Sequence, residues 1–243
     1  MKRLSQIGKF ALKTVAILLG VLALCYVLSL LPVVQKYTTR FAAQQLSRVI
    51  GLNVSVESIR ITSYNTIGLY DVSVTNAAND TIVQAEKAGA QLVLVDFKSL
   101  QIELNAISLQ KATIRAVKGT DSLWNFNNLL TTLFTDTVSS GWKVAIDEID
   151  IENSKLVLID NTVPKNTAYG IDFNNLAIEN FQCRIDSLHM IDNGIEFSLS
   201  TLAGTEQSGF ELQQLQTQVH IDNKTIDLQN VDLQTNNSQL QLK

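Results

Sequence analysis

The chain has 243 residues, 46% hydrophobic and 17% charged, with a net charge of −4. It is apolar enough to bury a core and unlike a disordered chain. Seven of its 19 Lys/Arg and none of its 23 Asp/Glu fall within residues 1–50, leaving 12 basic against 23 acidic side chains in the remainder. An acidic body excludes nucleic acid, whose phosphates demand clustered cations. Two cysteines, Cys25 and Cys183, give neither a disulfide framework nor a metal cluster.

Thr14 to Val34 (TVAILLGVLALCYVLSLLPVV) has no charged side chain. At about 1.5 Å per residue such a helix crosses a hydrocarbon core of roughly 30 Å. Lys2, Arg3, Lys9 and Lys13 precede it, which favours a cytoplasmic N-terminus (residues 1–13) and a translocated body. The apolar run is too long for an ordinary cleaved signal and no A-x-A follows it. Residues 35–51 read as a juxtamembrane amphipathic helix. Tyr37 and Phe41 are four apart, as are Ala42, Leu46 and Ile50, and Gly51 is a natural terminator. Such a helix serves either as an interfacial plug or as a connector packed on the first strands.

From Asn53 the period changes to two. Val54 and Val56, then Ile59 and Ile61, alternate with polar residues, and Val72 and Val74 do the same. Leu92 and Leu94, then Ile102 and Leu104, continue the pattern. Alternation with one wet face predicts antiparallel strands. Turns are expected at Asn76–Asp80, Lys98-Ser99 and Gly119–Ser122. A short helix is expected near 126–134, capped by Asn125 or Asn127. Strands resume at Val144–Ile151, Lys155–Ile159, Tyr169–Ile178, Phe181–Leu188, Ile195–Leu202, Phe210–Ile221, Thr225–Leu233 and from Ser238. ISLQKATIRAV from Ile107, IDIENSKLVLI from Ile149 and VHIDNKTIDL from Val219 read as similar hairpins, each with a polar turn. The chain stops within a strand-like segment, so the β region (52–243) reads as truncated at its C-terminus.

Chemistry is sparse. His189 and His220 each stand alone in a strand, and no H-E-x-x-H, C-x-x-C, P-loop, G-x-G-x-x-G or G-x-S-x-G occurs. Asp147, Glu148, Asp150 and Glu152 form the densest acidic cluster. In a strand Glu148, Asp150 and Glu152 share one face and Ile149 and Ile151 the other, about 6.6 Å apart per step, which suits a solvated face better than a calcium site. No catalytic residue, metal or cofactor is assigned, and the expectation is a protein that is not an enzyme. What remains is the apolar face. Its candidate lining is Ile59, Ile61, Val72, Val74, Leu92 and Leu94 from the first strands, with Ile102, Leu104, Ile149, Ile151, Leu156 and Leu158 from the next. The same alternation fits a closed core or an open groove, and an anchor beside a bilayer favours the groove, with acyl chains as its ligand.

The order of features resembles the N-terminal region of the AsmA/TamB family of bacterial envelope proteins, in its Bacteroidetes-type form. A membrane helix ends in Pro32 and a second helix reaches LSRVIGLNVSVESIRI (Leu46 to Ile61). Ile67 to Leu130 follows, with the L-x-D-V-x-V element, the DTIVQA strand, the SLQIEL hairpin and the WNFNNLL helix. Thr201 to Leu242 is similar to the next stretch of that family. The family's C-terminal β domain is lacking, and Asp121-Ser122-Leu123 stands where a glycine usually precedes the W-N pair. The resemblance implies a mainly β fold: an elongated, curled, antiparallel β-groove behind a transmembrane helix. It implies a single-pass protein of the bacterial inner membrane, its bulk periplasmic. The implied role is outer-membrane biogenesis, by phospholipid transfer along the groove or by assembly and export of outer-membrane proteins. Its implied partners are membrane phospholipids and an outer-membrane β-barrel assembly protein. Two alternatives are an anchored scaffold that pairs through an open strand edge, and a non-functional fragment of a longer protein.

Overall fold

A computed structural model describes residues 32–96, 98–126, 143–164, 170–191, 194–222 and 224–242. Helix α1 (Pro32–Ile50) leads into ten strands: β1 (Asn53–Ser63), β2 (Thr66–Thr75), β3 (Thr81–Asp96), β4 (Gln101–Lys118), β5 (Lys143–Asp160), β6 (Asn175–Ile191), β7 (Gly194–Glu206), β8 (Glu211–Asp222), β9 (Ile226–Thr235) and β10 (Gln239–Gln241). They form a single sheet in sequence order, with β1 and β10 outermost among the described strands. No second sheet covers either face among the described residues. The open, one-layer sheet replaces the closed core that the alternation alone also allowed.

One pairing departs from the antiparallel expectation. β4 and β5 are parallel, in register from Gln101 beside Lys143 to Lys118 beside Asp160. Parallel neighbours need a long crossover, and the segment 119–142 supplies it. The expected helix near 126–134 lies almost wholly outside the described residues, as do residues 14–31 of the expected membrane span. Among the described residues no helix is long and apolar enough to cross a membrane.

Helix α1 runs from Pro32, a residue suited to a first turn, and ends on Gly51 at φ 70°, whose amide donates to the Ser47 carbonyl. Its buried stripe is Thr39 and Ala43, while Phe41 is 64% exposed. The expected Phe41 stripe therefore faces away from the sheet. The Val54 amide donates to Ser47 Oγ at 2.9 Å, and Ser47 Oγ donates to the Ala43 carbonyl. The first of these bonds ties the last turn of the helix to the start of β1.

Turns form where the polar clusters stand. Asn76 Oδ1 accepts from the amides of Ala78 and Asp80, both at 2.9 Å, closing β2 onto β3. Asp96 Oδ1 accepts from the Lys98 amide at 2.8 Å, and Asp222 Oδ1 from that of Lys224 at 2.7 Å. In each case a short carboxylate or amide side chain satisfies backbone donors that the turn leaves free.

Two of the three expected hairpins are not turns. Ile107–Val117 lies inside β4 and Ile149–Ile159 inside β5; only Val219–Leu228 is a true hairpin, between β8 and β9. Of the strands expected at Tyr169–Ile178 and Phe181–Leu188, the part from Asn175 onward merges into the single strand β6; residues 170–174 are not strand, and Tyr169 lies outside the described residues. Besides Ser187 (55°) near the end of β6, five strands (β2, β4, β5, β6 and β9) hold a polar residue with positive φ inside them: Asp71 (51°), Lys111 (50°), Asn153 (48°), Asn180 (52°) and Asn230 (54°). Such a residue breaks the two-residue alternation without reversing the chain. In β5, Ile149 and Ile151 precede Asn153, while Leu156 and Leu158 follow it at the opposite parity. The left-handed residue itself points outward and the next one is buried. Val72, Ala112, Ser154, Phe181 and Val231 are 2–9% exposed. Asn125, expected as a helix cap, instead pairs with the end of β4. Its Oδ1 accepts from the Val117 amide at 3.0 Å and its Nδ2 donates to the Arg115 carbonyl.

Candidate apolar binding face

The pairing registers place apolar side chains in transverse rows. Val74, Val83, Ile114, Leu156 and Ile178 form one row across β2–β6. Val72, Ala85 and Ala112 form the next, and Ser154 and Phe181 extend it. Ile59, Leu69, Ala88, Leu109, Ile151 and Cys183 form a third. Ile61, Ile67, Ala90, Ile107, Ile149 and Ile185 form a fourth. Leu92 and Leu104, with Ile146, begin a fifth. Leu156 and Ile178 of the first row and Phe181 of the second line one shared cavity, together with Leu202, the β7 partner of Cys183 in the third row, so the parity switches keep these rows on one face. That face is an apolar surface with no covering layer among the described residues.

Of the expected lining residues, Val72, Val74, Ile149, Ile151 and Leu156 stand within these rows. Leu158 pairs with Ala116 and Leu176 just beyond the first row. Ile59 and Ile61 close the third and fourth rows at the β1 edge, where Ile61 is 79% exposed. Ile102 stands between Val95 and Val144. Leu94 differs: register shifts around Leu92 put it opposite Glu103, and Val95 takes the place beside Ile102. Sequence reading missed Ala85, Ala88, Ala112, Ser154, Phe181 and Cys183, which form the buried middle of the face. The parity switch beside Ala112, Ser154 and Phe181 was the signal that could have found them.

The face carries little polarity. Ser154 Oγ accepts from the Ala112 amide at 3.0 Å and donates to the Glu152 carbonyl at 2.8 Å, bridging the parallel pair. Burial, helped by the Asp150 charge, pushes the Cys183 thiol up to about 11. Glu206 is 5% exposed. Burial pulls its carboxyl upward, but the Ser208 hydroxyl and amide and the amides near it outweigh this and hold it below the ordinary range.

The opposite face is charged. Arg184 bridges Glu148 at 3.3 Å and Asp186 at 3.1 Å, and Gln110 donates to Glu152 at 3.2 Å. The acidic cluster of β5 thus meets a cation and an amide from its neighbours, as a solvated strand face does. Lys111 pairs with Glu86 at 2.7 Å, Lys155 pairs with Glu179, and His220 Nδ1 meets Glu196 Oε1 at 2.8 Å. Among the described residues no three His, Cys, Asp or Glu side chains converge as a metal site would require.

A pocket of about 240 Å³ opens on the apolar face over β5–β8. Ile171 and Phe173, from the segment before β6, and Phe210, from the turn before β8, form its rim. Compared with protein-family models, curated proteins and solved structures, the chain matches none.

Proposed function

We propose that the chain is a non-enzymatic, inner-membrane-anchored β-groove protein that handles phospholipid through the apolar face of its sheet. Its role would lie in outer-membrane biogenesis, by lipid transfer or by assembly and export of outer-membrane proteins, as the family resemblance suggests. The observation that carries the reading is the set of contiguous apolar rows on one uncovered face, with the ion pairs on the other. A soluble monomer rarely leaves a patch larger than a few hundred Å² uncovered; acyl chains are the chemistry that matches such a surface beside a bilayer. The anchor at 14–34 would place one end of the sheet at the membrane.

The test is mass spectrometry of the full chain after gentle detergent extraction. The reading expects diacyl phospholipid to co-purify in near-stoichiometric amount. A lipid-free protein that stays folded would overturn it.

A strand-edge scaffold is favoured by one separate observation. β10 pairs only with Asp232–Gln234, leaving the outer side of Ile226–Asn230 in β9 without a strand partner. An open edge of this kind accepts an added strand. Leu228→Pro, which blocks that edge, should then abolish capture of a β-protein partner while leaving bound lipid unchanged. Capture that survives the substitution would remove this second reading.

A further inference from the structure

The pocket over β5–β8 has features that the rest of the apolar face lacks. Its base is Phe181, 7% exposed, and its walls include Leu156 and Ile178 from the first row and Leu202 from β7. At Gly204 a Cβ would meet Ile178 Cγ2 at 2.4 Å, so β7 offers only backbone there and the cavity keeps its depth. Phe173 and Phe210 stand at the rim, 72% and 38% exposed. Aromatic side chains at the mouth of an apolar pocket match the lining of small-ligand sites.

Polarity decides what can enter. The one ionisable side chain in the wall is Glu206, and its carboxylate already accepts from the Ser208 amide at 2.7 Å. A ligand with hydrogen-bonding groups would lose its water there and gain nothing in return. Size narrows the choice. At about 240 Å³ the pocket is larger than the roughly 150 Å³ cavity that holds benzene. It is smaller than the ~300–1,000 Å³ clefts that enclose drug-sized ligands. It has room for a stretch of hydrocarbon but not for a lipid with its headgroup.

We propose that this pocket seats the methyl end of a single acyl chain, fixing where along the apolar face a bound lipid stops. The inference rests on the lipid-handling reading and adds a position and a polarity to it. The rest of the chain would lie along the Val74–Ile178 row, which runs into the pocket wall at Leu156 and Ile178. Saturated and unsaturated chains that differ in length would then be held with their ends, not their headgroups, in common register.

The experiment uses the full chain carrying Trp124→Phe and Trp142→Phe, with Phe210→Trp as a reporter at the rim. It is incubated with phosphatidylcholine vesicles brominated either at mid-chain or near the chain end. Chain-end bromine is expected to quench the introduced indole at least twofold more than mid-chain bromine. Adding Leu212→Phe, which fills the pocket, should remove that difference. Equal quenching, or stronger quenching by mid-chain bromine, overturns the proposal. Lipid that co-purifies with the unmodified chain but quenches from neither position overturns the pocket alone and leaves the groove reading intact. Absence of both co-purified lipid and quenching removes the two together.

Discussion

At Asn153 the backbone takes φ 48° in the middle of an 18-residue strand. A β-branched side chain there would clash with its own backbone, at a cost of about 1–2 kcal/mol. Asn153→Val should therefore lower the urea midpoint, while Asn153→Gly leaves it unchanged or slightly raised. The neighbouring Ser154→Ala would leave the buried Ala112 amide without its acceptor, for a loss of about 1–3 kcal/mol. Two carboxyls make opposite predictions with pH. The Thr162 hydroxyl and amide, and behind them Lys118, hold Asp160 below its ordinary 3.8. A folded pKa below the unfolded one stabilises above about 3.8, and that gain is lost as pH falls through the folded value. Asp160→Asn should thus be less stable than the native chain at pH 7 and converge with it toward pH 3. Burial, then the Glu152 charge, push Asp150 up, against a pull from Arg184 and with Asp186 adding to the rise. Its contribution is present at low pH and lost as pH rises through the folded value, so Asp150→Asn should be neutral or stabilising at pH 7. Urea midpoints for both variants at the two pH values check the signs.

β4, β5 and β6 are longer than their sequence pattern suggests because each is written in more than one phase. In β4, Ile107 and Leu109 stop at Lys111 and the pattern restarts with Ala112 and Ile114. In β6, Leu176 and Ile178 stop at Asn180 and Phe181 and Cys183 restart it. A polar residue between two apolar pairs has the signature of a turn, so a reading by periodicity places hairpins at Lys111 and Asn153. What separates the cases is visible only when the strands pair. The turn after Asp222 has a carboxylate accepting from amides two and three residues on, at 2.7 and 2.6 Å. Asn153 closes no such ring; its strand continues beside β4 in unbroken parallel register. The true turns at Asn76–Asp80, Lys98-Ser99 and Gly119–Ser122 were legible because their side chains cap their own backbone. The parallel β4–β5 pair was not, since nothing in either strand encodes direction and the deciding segment is the crossover. Deleting Asn153 would move Ile149 and Ile151 to the charged face. Such a deletion should destabilise far more than Asn153→Val, and far more than deleting Ala78 from the β2–β3 turn. Thermal melts of the three variants rank the effects.

For the whole molecule, the sequence conveyed that one face of each strand is apolar, but not what those faces meet. A sandwich would have turned them against a second sheet. Instead the described strands form a single sheet of ten, and no large side chain is fully buried among the described residues. Its buried residues are mostly small or medium ones, Ala85, Ala88, Ala112, Ser154, Val157 and Cys183, tucked between neighbours in the middle of the sheet. Buried between its neighbours, Cys183 should resist thiol reagents in a Cys25→Ser background until the sheet unfolds, consistent with a thiol pushed up to about 11. The central claim is that the apolar face binds lipid and the charged face does not. Leu109 and Gln110 are adjacent in β4 and face opposite sides, Leu109 beside Ile151 and Gln110 beside Glu152. The direct measurement is phospholipid bound per purified chain in Leu109→Lys and Gln110→Lys. The account predicts that Leu109→Lys loses most of its lipid and Gln110→Lys keeps it; equal lipid in the two variants would contradict it.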